Sequence, residues 1–205
     1  VRRYGQPLSP AGIPEQLIVL GMGKLGAHEL NLSSDIDLIF FYTHQGSLRF
    51  EQNDRDQTIS FQEFFIRLAR QLISHLDDAG LIDNVFRVDM RLRPYGDSGP
   101  LVVHRAAMEK YYLEQGRDWE RYAFIKARAI AGDLEGGRDF LSWLSPFVYR
   151  RHQDYSAVQS LREMKGLITR QIELNEMSQD LKLGPGGIRE IEFIAQAHQL
   201  IWGGK

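Results

Sequence analysis

The order of secondary-structure patterns predicts an α+β fold. Strand-like segments crowd into the first half of the 205-residue chain, and helical periodicity takes over from about residue 105. The strands also lack the alternating rhythm of βαβ units. These observations divide the chain into a strand-bearing core at 1–104 and a mainly helical part at 105–205.

Residues 1–15 carry Pro7, Pro10, Pro14 and two glycines, and read as an extended lead-in. Leu17-Ile18-Val19-Leu20 is a short apolar run before glycine and predicts a buried strand. A brief turn or helix is expected over 24–31 and a second strand over about 36–42. Residues 44–57 are polar and read as a loop. Phe61, Phe64, Phe65, Leu68, Leu72, Ile73 and Leu76 then recur at helical spacing. A third strand is expected at about 84–92, ended by the turn cluster Arg93-Pro94-Tyr95-Gly96-Asp97-Ser98-Gly99-Pro100, with a short strand at 101–103. Helices follow at 105–115, 118–130, 135–144, 156–175 and 187–201.

Composition closes off several function classes. Lys plus Arg number 25 against 27 Asp plus Glu, a balance that argues against a dedicated nucleic-acid binder. With no cysteine, disulfides, thiolate nucleophiles and cysteine zinc sites are excluded. No apolar stretch approaches the roughly 18 to 20 residues of a membrane span. The absence of disulfides fits a cytoplasmic protein, and the start, Val1-Arg2-Arg3-Tyr4-Gly5, lacks the apolar core of a secretion signal. The chain begins without Met and stops at Trp202-Gly203-Gly204-Lys205, so a piece of a longer polypeptide is expected.

Chemistry concentrates at Ser33-Ser34-Asp35-Ile36-Asp37-Leu38-Ile39-Phe40. Side chains alternate across a strand, so Asp35 and Asp37 point to one face. Two carboxylates placed this way suit Mg²⁺, which takes oxygen ligands and pairs one or two carboxylates with substrate phosphates. The same pair would also serve as solvated turn residues or as a cap. Asp89, in Arg87-Val88-Asp89-Met90-Arg91-Leu92-Arg93, is the third acid. A lone charge inside a strand is costly unless it is paired or metal-bound. Arg87, Asp89, Arg91 and Arg93 share one face of the expected strand. They read either as a salt-bridged polar surface or as a metal ligand beside arginines that hold phosphate oxygens.

Leu20-Gly21-Met22-Gly23-Lys24-Leu25-Gly26 contains G-x-G-x-x-G after a strand, the pattern of dinucleotide sites. A Rossmann unit needs an acid at the end of its second strand. Here that strand ends Phe40-Phe41-Tyr42-Thr43 and the acids stand at its beginning, so this reading is disfavoured. A P-loop fails because Lys24 lacks both the preceding glycine spacing and a following Ser or Thr. Further on, Gly184-Pro185-Gly186-Gly187-Ile188-Arg189-Glu190-Ile191-Glu192 sets a glycine-rich turn before a helix. It reads equally as an anion site reinforced by Arg189 or as a helix start whose acids complement the dipole. In Gly116-Arg117-Asp118-Trp119-Glu120-Arg121, Asp118 is the expected N-cap. Arg121, Lys126 and Arg128 either face a phosphate or pair with neighbouring acids. The six histidines show no metal-ligand spacing.

Together these residues are similar to a known family. Gly21-Met22-Gly23-Lys24-Leu25-Gly26, Glu29-Leu30-Asn31 and the Asp35–Asp37 run resemble bifunctional glutamine synthetase adenylyltransferase/adenylyl-removing enzymes. So do Arg87-Val88-Asp89-Met90-Arg91-Leu92-Arg93-Pro94, Gly116-Arg117-Asp118-Trp119-Glu120-Arg121 and Gly186-Gly187-Ile188-Arg189-Glu190-Ile191-Glu192-Phe193. The resemblance runs from about Leu17 to Lys205. The family carries two nucleotidyltransferase domains of the DNA polymerase β superfamily. Asn31-Leu32-Ser33-Ser34-Asp35-Ile36-Asp37 resembles the N-terminal, adenylyl-removing copy. Ala27 departs from the Gly or Ser that the superfamily usually has there.

The resemblance implies a polymerase β-like mixed sheet with flanking helices at 1–104 and a helical subdomain at 105–205. It implies phosphorolysis: inorganic phosphate takes AMP from a glutamine synthetase tyrosine and leaves as ADP. Asp35, Asp37 and Asp89 are the implied catalytic residues and Mg²⁺ ligands. Gly23, Lys24, Gly26 and Ser34 are implied to cradle nucleotide phosphates. Arg91, Arg93 and Arg189 are implied to bind inorganic phosphate, with Glu190 and Glu192 in support. The implied partners are adenylylated glutamine synthetase and the PII signalling protein, with no nucleic acid and no membrane. The alternatives are ATP-dependent adenylylation of the same tyrosine and a non-catalytic docking or regulatory fragment.

Overall fold

The computed structural model describes residues 4–32, 34–52, 55–77, 86–149, 163, 165–166 and 186–203. The expected helix at 156–175, the residues 84 and 85 that open the third expected strand, and Ser33 lie outside these, apart from isolated positions. The described elements are those of an α+β fold, with two compact units. The first comprises residues 1–114 and 126–143, and the second residues 115–125 and 144–205. The first therefore takes in residues 105–114 and 126–143, which composition and periodicity grouped with the helical part.

The first unit is built on a mixed sheet of five strands among the described residues. Strand β1 (Ile18–Gly21) lies antiparallel to β2 (Ile36–Tyr42). After the short helical turn α1 (Gly23–Gly26), the hairpin β3 (Ser47–Gln52) and β4 (Arg55–Ser60) stands apart as its own two-stranded sheet. Helix α2 (Phe61–Asp77) follows directly. Strand β5 (Val88–Asp89) pairs in parallel with the start of β2, and β6 (Val102–His104) pairs in parallel with its end. Helix α3 (Arg105–Glu114) leads to the second unit's α4 (Asp118–Phe124). The chain then returns as β7 (Arg128–Gly132), antiparallel to the free edge of β1, and continues as α5 (Leu134–Val148).

Both faces of the sheet are covered, which is why β1 and β2 read as nearly unbroken apolar runs. Ile36, Leu38, Phe40 and Tyr42 join Val19 in one core with Phe61, Phe64, Phe65 and Ala69 of α2. The odd-numbered residues of β2 face the other way, where Phe41 meets Phe140 of α5 with ring centroids 4.8 Å apart. This alternation assigns Asp35 and Asp37 to the face opposite α2. The lead-in is tied down by Glu15, which is 9% exposed and accepts from the backbone N–H groups of Thr43 (2.8 Å) and His44 (3.0 Å).

Several expectations are corrected. Residues 44–57, read as loop, supply most of the β3–β4 hairpin, in which Leu48 and Ile59 are cross-strand partners. The helix expected at 118–130 ends at Phe124, and its last residues open β7. The third strand keeps only Val88 and Asp89 in the ladder, so Arg91 and Arg93 do not share a strand face with Asp89. The antiparallel pairing of β1 with β2 also excludes a Rossmann unit, which requires parallel strands. No described helix is long and apolar enough to cross a membrane.

In the second unit, Arg117 rather than Asp118 stands at the N-cap of α4, and its N–H donates to Glu120 Oε2 at 2.8 Å. Arg121 is buried (5% exposed) and pairs with Asp118 at 3.0 Å. Its guanidinium also donates to the carbonyls of Phe147 (2.8 Å) and Val148 (3.2 Å), the last of α5. It thus satisfies carbonyls that a helix end leaves orphaned, where positive charge is favoured. The structural reading of Arg121 therefore holds. Arg121→Ala is expected to cost about 2 kcal/mol, because two acceptors lose their donor. Arg121→Lys should recover only part of this, as read by thermal melting. Helix α6 (Ile188–Trp202) completes the described part of this unit, with Phe193 stacked on Tyr122 at 5.6 Å.

Candidate active site

Strand register brings two of the expected acids together. Asp37 of β2 and Asp89 of β5 are partners across the parallel ladder, so their side chains leave the same face side by side. Asp35 lies two residues before Asp37 and shares that face. The backbone is held here by Ile36 N–H donating to Arg87 C=O at 2.8 Å.

The glycine turn is spliced onto the same strand. Met22 N–H donates to Asp37 C=O at 2.9 Å. Gly23 has φ +49°, and a Cβ there would stand 2.9 Å from Asp37 Oδ2. Glycine at this position thus gives room for the Asp37 carboxylate as well as the left-handed backbone. Lys24 sits half-buried in the turn, and Gly26 is buried at its end. Ser34 is anchored to Asn31, through N–H to C=O at 3.0 Å and a short bond from Oγ to Oδ1.

Arginines meet the acids directly. Arg87 Nε is 2.7 Å from Asp35 Oδ1. Arg91 doubles back from the turn after β5, its N–H 2.8 Å from Asp89 Oδ1 and its Nε 2.9 Å from Asp89 Oδ2. The hydrogen bonds from Arg91 hold the Asp89 carboxyl below its ordinary pKa, against the opposing effect of burial. Asp35, Arg87, Asp89, Arg91 and Asp97 line an open cleft of about 410 Å³.

Arg93, expected to bind phosphate, has its guanidinium on the turn itself. It donates to Met90 C=O at 2.6 Å and pairs with Asp97 at 3.4 Å. Arg189, Glu190 and Glu192 belong to the second unit, in the first turns of α6. Glu190 accepts from Gly186 N–H at 2.9 Å, which is the main reason its pKa is lowered. That matches the reading of acids at a helix start.

The donor set suits Mg²⁺ in kind, being entirely carboxylate oxygen on one sheet face. Among the described residues, however, no three His, Cys, Asp or Glu side chains gather closely enough to hold a metal ion. Arg87 and Arg91 stand as cations on two of the three acids, Asp35 and Asp89.

Two arginines have partners that the sequence does not single out. Arg87, which reads either as part of a salt-bridged polar surface or as an arginine holding phosphate oxygens, pairs with Asp35. Arg128 grips the glycine turn from behind, donating to Gly26 C=O at 2.9 Å and Leu25 C=O at 3.1 Å. Lys126 pairs with Glu29 at 2.7 Å beside it. Nothing local marks contacts between residues so distant in sequence.

The family model for glutamate-ammonia ligase adenylyltransferase matches residues 1–143, and that for GlnD PII-uridylyltransferase matches residues 162–205. The chain is 56% identical over 204 residues to a bifunctional glutamine synthetase adenylyltransferase/adenylyl-removing enzyme of Pseudomonas aeruginosa, covering 99% of the chain and 20% of that protein. It is 55% identical over 205 residues to the enzyme of the same name from Pseudomonas syringae, covering 100% of the chain and 20% of that protein. It is 56% identical over 197 residues to that of Nitrosococcus oceani, covering 96% of the chain and 20% of that protein. The chain thus spans about a fifth of the length of these relatives.

Proposed function

The chain belongs to the glutamate-ammonia ligase adenylyltransferase family, and on that premise we propose that it removes AMP from an adenylylated tyrosine of glutamine synthetase by Mg²⁺-dependent phosphorolysis. The observation that carries the reading is the register of Asp37 against Asp89, with Asp35 on the same face and two arginines alongside.

In this reading an oxygen of inorganic phosphate attacks the phosphorus of the AMP group. The bond from phosphorus to the tyrosine oxygen breaks, ADP leaves, and the phenolate takes the proton given up by the phosphate. A phenol has a pKa near 10, so phenolate is a tolerable leaving group once its charge is stabilised. Mg²⁺ held by Asp35, Asp37 and Asp89 would supply charge neutralisation for the transferring phosphoryl group and the leaving oxygen. Gly23, Lys24, Gly26 and Ser34 border the nucleotide phosphates, with the turn's backbone N–H groups and the Lys24 ammonium as donors. Arg91 orients the attacking phosphate through its planar fork. Arg93 holds the turn that carries Arg91, and Glu190 and Glu192 organise the start of α6.

The partners follow from the same reading: adenylylated glutamine synthetase, phosphate and an adenine nucleotide in the cytoplasm. The PII signalling protein is added because residues 162–205 match the PII-uridylyltransferase family. A second reading, ATP-dependent transfer of AMP onto the tyrosine, is favoured by the matched family's adenylyltransferase description. Incubation with AMP-modified glutamine synthetase, phosphate and Mg²⁺ separates them. ADP release with loss of the modification is expected. Pyrophosphate release from ATP with gain of modification would establish the second reading instead, and no metal-dependent turnover in either direction would leave a docking fragment.

A further inference from the structure

We propose that Arg128 is a positioning residue for nucleotide binding, delivered by a β-bulge to hold the glycine turn Gly23–Gly26 in place beside Asp37. The inference rests on the reading of this turn as the seat of the nucleotide phosphates.

The turn has little with which to hold its own shape. It is a single helical turn, closed by Gly26 N–H to Met22 C=O at 3.0 Å and Ala27 N–H to Gly23 C=O at 3.1 Å. One such turn is unfavourable alone, because many dihedrals are fixed for few hydrogen bonds. The chain leaves it through His28, whose φ of +62° is a left-handed conformation that persists where the surroundings enforce it. On one side Met22 and Gly23 abut Asp37. On the other, Arg128 donates to the turn's last two carbonyls, Leu25 and Gly26, which a helix end leaves short of donors. Hydrogen bonds from a charged donor are about twice as strong as neutral ones.

The sheet is adjusted so that Arg128 arrives there. In the β1–β7 ladder Val19 faces Ala131, but Leu20 faces Ala129, so Ile130 is an extra residue on β7. Without this bulge Gly21 would face Ala129. With it, Gly21 faces Arg128. A slip of one residue turns a side chain to the other face of a sheet, and bulges re-aim side chains in this way. Arg128 thus has its backbone at the entry to the turn, beside Gly21, and its guanidinium at the exit, on Leu25 and Gly26. One residue fixes both ends of the segment that borders Asp37. A misplacement of about 1 Å is enough to cost a large factor in a positioned site.

The test is calorimetric titration of the 205-residue chain with ADP, in buffer containing Mg²⁺, for the wild type, Arg128→Ala, Arg128→Lys and Arg105→Ala. Arg105 is the control. It is also a partly buried arginine of the first unit, but it joins Glu109 at 2.7 Å and Asp139 at 2.6 Å rather than the turn. Both alanine variants lose hydrogen bonds and should melt below the wild type. Only Arg128→Ala is expected to lose ADP affinity, by about tenfold or more. Arg128→Lys should recover part of that loss, because an ammonium keeps the charge without the fork. Should Arg128→Ala fail to fold, Arg128→Lys carries the same comparison with Arg105→Ala. Wild-type ADP affinity in the Arg128 variants, or an equal loss in Arg105→Ala, would overturn the positioning role and leave the turn standing as a nucleotide site. A wild-type chain that binds no ADP would overturn the reading of the turn, and the proposal with it.

Discussion

Under the proposed phosphorolysis, Asp37→Asn is expected to slow release of ADP from adenylylated glutamine synthetase by about a thousandfold, the scale of losing a preorganised group that stabilises transition-state charge. Of the three acids, Asp37 is the one the fold positions most completely. It lies between the buried Ile36 and Leu38, faces Asp89 across the ladder, and has its carboxylate above Gly23. Asparagine matches its shape and retains one acceptor oxygen, so packing and most hydrogen bonds survive while the charge goes. The variant should therefore melt close to the wild type. A rate within tenfold of the wild type, at saturating Mg²⁺ and phosphate, would show that this carboxylate does not serve the chemistry.

Much of that site could be read before any coordinates because it depends on local periodicity. The run from Leu38 to Tyr42 is apolar on both faces, as a strand buried on both sides requires, and alternation then aligns Asp35 with Asp37. Asp89 was harder. It was identified as an acid inside a strand, yet the strand is only two residues long, and Arg91 reaches Asp89 by folding back rather than by sharing a strand face. The β3–β4 hairpin was missed although Leu48 and Phe50 alternate with polar neighbours. Its polar face masked a period of two that a count would have shown. Strand β7, Arg128-Ala129-Ile130-Ala131-Gly132, carries one branched apolar residue and follows a helical pattern. It is extended because β1 offers it an edge, and such tertiary demands override weak propensity.

The segment leading into the same strand makes Gly26→Ala a large expected loss of stability. A Cβ on Gly26 would stand 1.8 Å from Lys126 C=O and 2.5 Å from Gly21 C=O, both backbone oxygens that no rotamer change can move. Relief requires the turn to separate from the segment leading into β7. That in turn breaks the two bonds by which Arg128 holds the carbonyls of Leu25 and Gly26. Overpacking of this kind, with those bonds lost, is expected to cost about 3 to 4 kcal/mol, or about 10 °C in melting temperature for a chain of this size. Gly12→Ala supplies the contrast. Gly12 has φ +75° with nothing within 4 Å of an added Cβ, so only the left-handed backbone is penalised, by about 1 to 2 kcal/mol. If Gly26→Ala melts no lower than Gly12→Ala, the segment before β7 does not clamp the turn. If it melts far lower and also loses phosphate affinity, the clamp that stabilises the sheet edge also shapes the phosphate-facing backbone.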